Sequence, residues 1–170
     1  MSKLLIELQE DQPRTSLGLT YLTLQLGQNL DMAVPLDSIQ ETIIVSSERF
    51  TQMPNTHPCL IGLIEHRSNV FWVLDLPQLL GFTAIDPTAL ETHVAILQIG
   101  ASFIGLAVYR IGQVMRFAEN RILSPQDLSE TNIPNEARKF LSGWLIRPDK
   151  GMPRLYLLNT DAIISHGFSI

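Results

Sequence analysis

Residues 21–36, YLTLQLGQNLDMAVPL, decide the fold. Leu22, Leu24 and Leu26 share one face of an alternating run, Gly27 to Asn29 supply turn chemistry, and Leu30, Met32 and Val34 return with the same alternation. A period of two broken by turn residues is the pattern of a β-hairpin. The figure recurs at VAILQIGASFIGLAV, residues 94–108, where Leu97-Gln98-Ile99-Gly100 repeats Leu24-Gln25-Leu26-Gly27. The stretches after each hairpin echo one another too. CLIGLIE around Gly62 has its counterpart in FLSGWLI around Gly143, and VLDLPQLL (73–80) in LLNTDAII (157–164). A repeat of this length predicts two similarly built β lobes, not a solenoid, whose shorter units need at least three copies.

Helical signals are few. SPQDL from Ser124, IPNEARKFLSG with Pro134 in a first turn and Gly143 at its end, DLPQLLG and NTDAIIS each allow a turn or two. Pro54 and Pro58 in RFTQMPNTHPC forbid a regular central strand there. The expected fold class is therefore all-β dominated: two small five-stranded, SH3-like β-barrel lobes with a shared hydrophobic core and a few short helices. Closing each sheet on itself hides strand edges that otherwise invite aggregation. Residues 1–19 read as a polar, peripheral leader and residues 20–168 as the domain. Its first lobe spans about 20–86 and its second about 92–165, with exchange of terminal strands between lobes allowed.

Composition narrows the function classes. The chain has 170 residues, 45% hydrophobic and 17% charged, enough to bury a sizeable core. A formal charge of −5, with 12 Lys and Arg scattered along the chain, offers no basic field to a phosphate backbone, so no nucleic-acid partner is expected. Cys59, the single cysteine, excludes an intrachain disulfide and a thiolate zinc site and fits a reducing compartment. The N-terminus lacks a signal-peptide core, and no apolar run reaches the roughly 18 residues of a membrane span. The reading is a cytoplasmic chain without membrane insertion.

The polar knot Glu65, His66, Arg67, Ser68 and Asn69 in GLIEHRSNVFWVLDL, residues 62–76, is either a catalytic cluster or a turn that a partner reads. On a strand, consecutive side chains point to opposite faces, so Glu65 and His66 do not easily share a site. No G-x-S-x-G elbow accompanies them. His57, His66, His93 and His166 lack metal-ligand spacing, and neither a P-loop nor a G-x-G-x-x-G turn occurs, so no metal or cofactor is expected. Trp72 and Trp144 suit core packing, with an interlobe ligand cleft around them as the alternative.

The chain resembles the CheW-like family, the adaptor domains of bacterial chemosensory arrays. The likeness runs from about Tyr21 to Ile164 and is carried by YLTLQLGQNLDMAVPLDSIQE, MPNTHPCLIGLIEHRSNVFWVLDLPQLLG, VAILQIGASFIGLAVYRIGQV and FLSGWLIRPDKGMPRLYLLNTDAII, in that order. Of the family's approximate signature G-V-I-N-L-R-G followed by V-D-L, Gly62, Ile64, Arg67, Asp75 and Leu76 are kept. Glu65 stands for the usual Asn, His66 for Leu, Ser68 for Gly and Trp72 for Pro; later, Tyr109 and Asn159 each replace an Asp. Ser68 takes a positive φ less readily than glycine, so a reshaped turn is expected.

The resemblance implies no catalytic activity. It implies a scaffold bridging the regulatory domain of a CheA-type histidine kinase and the cytoplasmic tip of a methyl-accepting chemoreceptor, recruited to membrane-associated receptor arrays. The receptor-contact positions it implies are Ile39, Gln40, Glu41, Gly62 and Arg67. Glu65 and His66 join them as residues that tune which receptor fits, and kinase-contact residues are not assigned. The departures suggest a divergent branch, one serving pilus-based motility. Two other readings stay open: a ligand-sensing β domain using the interlobe cleft, and a hydrolase built on Glu65 and His66.

Overall fold

A computed structural model describes residues 18–124, 133–147 and 154–166. Among the described residues, ten strands form two five-stranded sheets. The first half of the chain gives β1 (Leu19–Gly27), β2 (Leu30–Pro35), β3 (Ile39–Ser46), β4 (Leu60–His66) and β5 (Asn69–Asp75). The second gives β6 (Glu91–Ile99), β7 (Ser102–Val108), β8 (Arg110–Phe117), β9 (Leu141–Leu145) and β10 (Leu155–Leu158). One sheet runs β8-β1-β2-β10-β9 and the other β3-β6-β7-β5-β4. Exchanging β1 with β6, β2 with β7, and so on to β5 with β10, turns one order into the other. The repeat is thus a structural one. The segments 20–86 and 92–165 are halves of the repeat and not separate sheets, because each half sends two strands to one sheet and three to the other.

The hairpins stand where alternation puts them: Leu24 faces Met32 in β1–β2, and Leu97 faces Ile104 in β6–β7. Both faces of these strands are covered. Leu22, Leu24, Leu26, Met32 and Val34 enter a core shared between the sheets, while Tyr21 and Ala33 turn into a separate core inside the first sheet with Phe117, Leu145, Leu155 and Leu157. Val45, Ile64, Phe71, Val73, Val94 and Ile96 fill the inside of the second sheet. Strand periodicity sorts neighbouring residues into different cores.

Each sheet curls until the chain just past one edge strand meets the strand at the other edge. Thr51 bridges Leu63, with backbone bonds of 2.8 and 2.9 Å, and Leu123 bridges Trp144, with bonds of 2.8 and 3.0 Å. A single bridge, in place of a full ladder, brings each sheet close to a barrel. Gly62 and Gly143 sit beside these bridges because a Cβ there would lie 2.7 Å from the Thr51 carbonyl oxygen and 2.6 Å from that of Leu123.

The short helices also repeat. Asp75 caps α1 (Leu76–Leu79) by accepting from the Gln78 N–H at 3.0 Å. Asn159 caps α3 (Thr160–Ser165) by accepting from the Ala162 N–H at 3.1 Å. Between them, α2 (Asn135–Arg138) follows Pro134. It does not continue to Gly143 as the sequence suggested, because Leu141 to Leu145 are taken into β9 beside β10. Of the SPQDL segment only Ser124 lies within the described residues, and of the leader only residues 18 and 19, Leu19 being the first residue of β1.

Candidate functional site

The site begins with a bulge. In the β3–β6 ladder Ile39 faces Leu97 but Glu41 faces Ile96, so Gln40 is an extra residue on β3. An inserted residue reverses which side chains face which way. Ile39 therefore packs, half-buried, against the shared core, while Glu41 joins Ile43 and Val45 on the inner face of the second sheet. Without the bulge, Ile39 and Glu41 would point the same way.

The opposing wall is the β4–β5 hairpin, where His66 faces Asn69 across a two-residue turn. Arg67 (φ 50°) and Ser68 (φ 64°) are both left-handed, the conformation of a type I′ turn. The turn is not reshaped by the loss of glycine. Ser68 adopts the strained conformation, and the Asn69 side-chain amide braces the loop by donating to the Arg67 carbonyl oxygen at 3.2 Å. His66 lies on the inner face with Ile64, and Glu65 lies on the other face opposite Val70.

Three of the expected residues meet. Glu41 Oε2 accepts from Arg67 Nε at 3.0 Å and Glu41 Oε1 from Arg67 Nη2 at 3.1 Å, a two-pronged pair. His66 Nε2 lies 3.0 Å from Glu41 Oε2. Two donors hold the Glu41 carboxyl well below the usual carboxylate range, at about 2, the Arg67 bonds being the larger cause and the His66 bond the next. Glu41 pushes the Arg67 guanidinium up in turn. Because the ionised carboxylate only accepts, His66 Nε2 is the donor in their bond. Side-chain exposure falls from 73% for Arg67 to 29% for Glu41 and 20% for His66, so Arg67 is the most exposed member of the trio.

This clasp stands over a cleft of 360 Å³ into which Gln40, Asn69, Phe71, Ile96 and Phe103 also project. The Phe71 and Phe103 rings lie 6.0 Å apart. The remaining expected positions are elsewhere. Gly62 is buried beside Thr51 and owes its identity to the bridge. Glu65 points away, and its carbonyl oxygen accepts from Arg49 Nη2 at 2.8 Å. From the sequence, Arg67 is expected only as a receptor-contact position; in the fold Glu41 occupies the Nε and one Nη of its guanidinium. The bulge that brings Glu41 there leaves no signal in the sequence.

As chemistry, the clasp is a poor base. A general base works best with a pKa near the operating pH, and Glu41 is held far lower with both oxygens occupied. No group of three His, Cys, Asp or Glu side chains able to hold a metal occurs among the described residues. A larger cleft, 460 Å³, lies against Phe50, Met53, Ile61 and Ile85, with the buried Asp75 in its wall. Burial raises the Asp75 pKa, opposed by the Gln78 and Ile85 N–H groups, and both its oxygens are engaged in the cap and in the 2.9 Å bond from Ile85. Trp144 is buried and Trp72 half-buried, both in the shared core. No helix among the described residues is long and apolar enough to cross a membrane.

Comparison with known proteins bears on this arrangement. A family model described as "CheW-like domain" matches residues 20–167. Among solved structures, the crystal structure of scaffolding protein TtCheW from Thermoanaerobacter tengcongensis is similar, at 20% sequence identity and a TM-score of 0.68 over 83% of this chain and 88% of that one. At that identity the likeness speaks for the fold. No curated protein matches the chain.

Proposed function

The chain belongs to the family of CheW-like domains, and from that premise we propose that it is a non-enzymatic scaffold coupling the cytoplasmic tip of a methyl-accepting chemoreceptor to the regulatory domain of a CheA-type histidine kinase. It works in the cytoplasm and is drawn to membrane-associated receptor arrays through these two contacts. The observation that carries the receptor half is the clasp. Arg67 is fixed by Glu41 at the rim of a cleft floored by Phe71, Ile96 and Phe103, with its outer edge open to solvent.

Two of the five guanidinium N–H donors serve Glu41, and the rest remain for a partner. A cation already ordered beside an apolar floor suits a helical surface that carries a carboxylate next to an apolar stripe. Prior ordering lowers the entropic cost of docking, and Arg near an apolar centre is a recurrent anchor in interfaces. Gln40, extruded by the bulge, adds polar reach at the rim. The departures at Glu65, His66, Ser68 and Trp72 favour a divergent branch serving pilus-based motility; loss of surface twitching with intact swimming in a deletion strain is the outcome that supports it.

Isothermal titration into the kinase regulatory domain and, separately, into a receptor-tip fragment from the same genome tests the proposal. Wild-type protein binds both, and Arg67→Glu loses the receptor fragment while keeping the kinase domain. The charge exchange Glu41→Arg with Arg67→Glu distinguishes contact from bracing. It restores the internal pair, so recovered receptor binding would mean that Arg67 only braces the hairpin. Failure of folded wild-type protein to bind either partner removes the adaptor reading.

A further inference from the structure

The curled second sheet has two ends. The clasp stands at one, where β3 and β5 begin and β4 ends. At the other, where β3 and β5 end and β4 and β6 begin, lies the larger cleft, 460 Å³ in volume. We infer that this second mouth binds a small organic cation, an ammonium group carried on an apolar stem. The volume is that of a ligand site, and the mouth of a barrel is a recurrent place for one.

Two buried polar groups line it. Thr92 of β6, paired with Val45 of β3, is buried, and its hydroxyl has no hydrogen-bond partner among the described residues. Asp75 is buried as well, and no cationic side chain among the described residues pairs with it. Each of its oxygens accepts one backbone N–H, from Gln78 and from Ile85, which favours the ionised form and leaves room for a further donor. The helix cap does not itself ask for a charge, because at the matching point of the repeat the Asn159 amide oxygen makes the same bond for α3. A buried carboxylate without a counter-cation is costly, and an ammonium donor supplies one.

The rest of the wall suits the same ligand. Phe50, Met53, Ile61 and Ile85 offer contact to an apolar stem, and Asp86 stands exposed with one oxygen held by Thr88. No Lys, Arg or His is among the described residues that line the cleft. Arg49, close in sequence to Ser47 and Phe50, reaches instead to the Glu65 carbonyl oxygen at 2.8 Å. Glu48 and Glu91, next in sequence to Ser47 and Thr92, are exposed and add negative charge nearby. The wall is also built in advance. Ile85 N–H to Asp75 at 2.9 Å, Ala89 N–H to Asp86 O at 3.1 Å and Ser47 N–H to Leu90 O at 2.9 Å tie the loop before β6 to β5 and to the end of β3.

Three probes of equal length and different charge test this on the full chain at neutral pH in low salt: n-hexylammonium, 1-hexanol and hexanoate, followed by backbone amide shifts in nuclear magnetic resonance. Hexylammonium is expected to bind with a Kd on the order of 1 mM, roughly five- to tenfold tighter than hexanol, with hexanoate weaker still. Its shifts should centre on Ile85 and Thr92 and spare Arg67 and Asn69. Asp75→Asn, read on folded protein, is expected to erase the preference for the cation while hexanol still binds. Ala84→Trp, which fills the cleft from an exposed position without touching Asp75, is expected to lose all three probes. Hexylammonium binding no tighter than hexanol, shifts centred elsewhere, full binding by Ala84→Trp, or no binding of any probe overturns the inference, and each leaves the adaptor reading as it stands.

Discussion

Replacing Gly62 with alanine would set a methyl carbon 2.7 Å from the Thr51 carbonyl oxygen and 3.1 Å from its carbonyl carbon. Both neighbours are backbone and cannot swing aside like a side-chain tip, so the bridge has to open. Two hydrogen bonds go with it, Thr51 N–H to Leu63 O and Leu63 N–H to Thr51 O. Each is worth about 1 kcal/mol net, and leaving their groups partly buried without partners adds about 1–2 kcal/mol. Against this, alanine loses less backbone freedom on folding, about 0.4–1 kcal/mol in favour of the variant. The expected loss is about 2–3.5 kcal/mol, read from the shift in urea midpoint at constant slope. Gly27 is the control. Nothing lies within 4 Å of its absent Cβ and its φ is not positive, so Gly27→Ala should keep only the entropic gain. A Gly62→Ala protein within about 0.5 kcal/mol of wild type, or a Gly27→Ala protein equally damaged, would refute the reasoning. The result also guards the functional reading, since lost receptor binding in a Gly62 variant would report an opened sheet and not a lost contact.

Ser68→Gly should stabilise by about 0.5–1 kcal/mol in the same assay, because a left-handed non-glycine residue costs about 1–2 kcal/mol and glycine's unfolded freedom returns about 0.4–1 of it. Glu41 has a folded pKa of about 2, below its unfolded value, so its contribution to stability is complete above the unfolded pKa of about 4.3 and is lost as pH falls toward 2. Acid titration of Glu41→Gln, followed by circular dichroism, should lack that part of the wild-type decline; superimposable curves would argue that the clasp does not persist in solution. Asp75→Asn keeps one oxygen for the α1 cap but turns an amide toward the Ile85 N–H, a loss of about 1–3 kcal/mol by thermal unfolding. Asn159→Asp, whose side chain serves the cap of α3, should be tolerated within about 0.5 kcal/mol.

Much of the fold is legible where its causes are local. Leu22, Leu24 and Leu26 declare a strand by spacing, DLPQLLG and NTDAIIS each show a short helical turn, and Gly62 and Gly143 mark matching points of a repeat. What is not legible depends on partners distant in sequence. Nothing in Ile39, Gln40 and Glu41 reveals that β3 gains a residue against β6, yet that insertion sends Ile39 to one core and Glu41 to the clasp. The pairing of Glu41 with Arg67 depends on how the second sheet curls, bringing its two edges together at the bridge between Thr51 and Leu63. The assignment of β1 and β2 to the sheet that also takes β8, β9 and β10 rests on long-range pairing that alternation cannot express. The IPNEARKFLSG segment fails for a related reason: Leu141 to Gly143 fit a helix end or a strand equally until β10 lies beside them.

The reciprocal sharing of strands bears on how the molecule is made. When the ribosome has delivered β1 to β7, the second sheet has all five strands, but β1 and β2 hold an apolar face with no sheet to join until β8 to β10 emerge. Strands made later therefore complete the sheet that β1 and β2 begin. Cleavage between β5 and β6 would yield two unequal complements, each carrying two strands of one sheet and three of the other. Such fragments are expected to be unfolded alone and to fold on mixing, and two intact copies could trade halves by the same route to form an intertwined dimer.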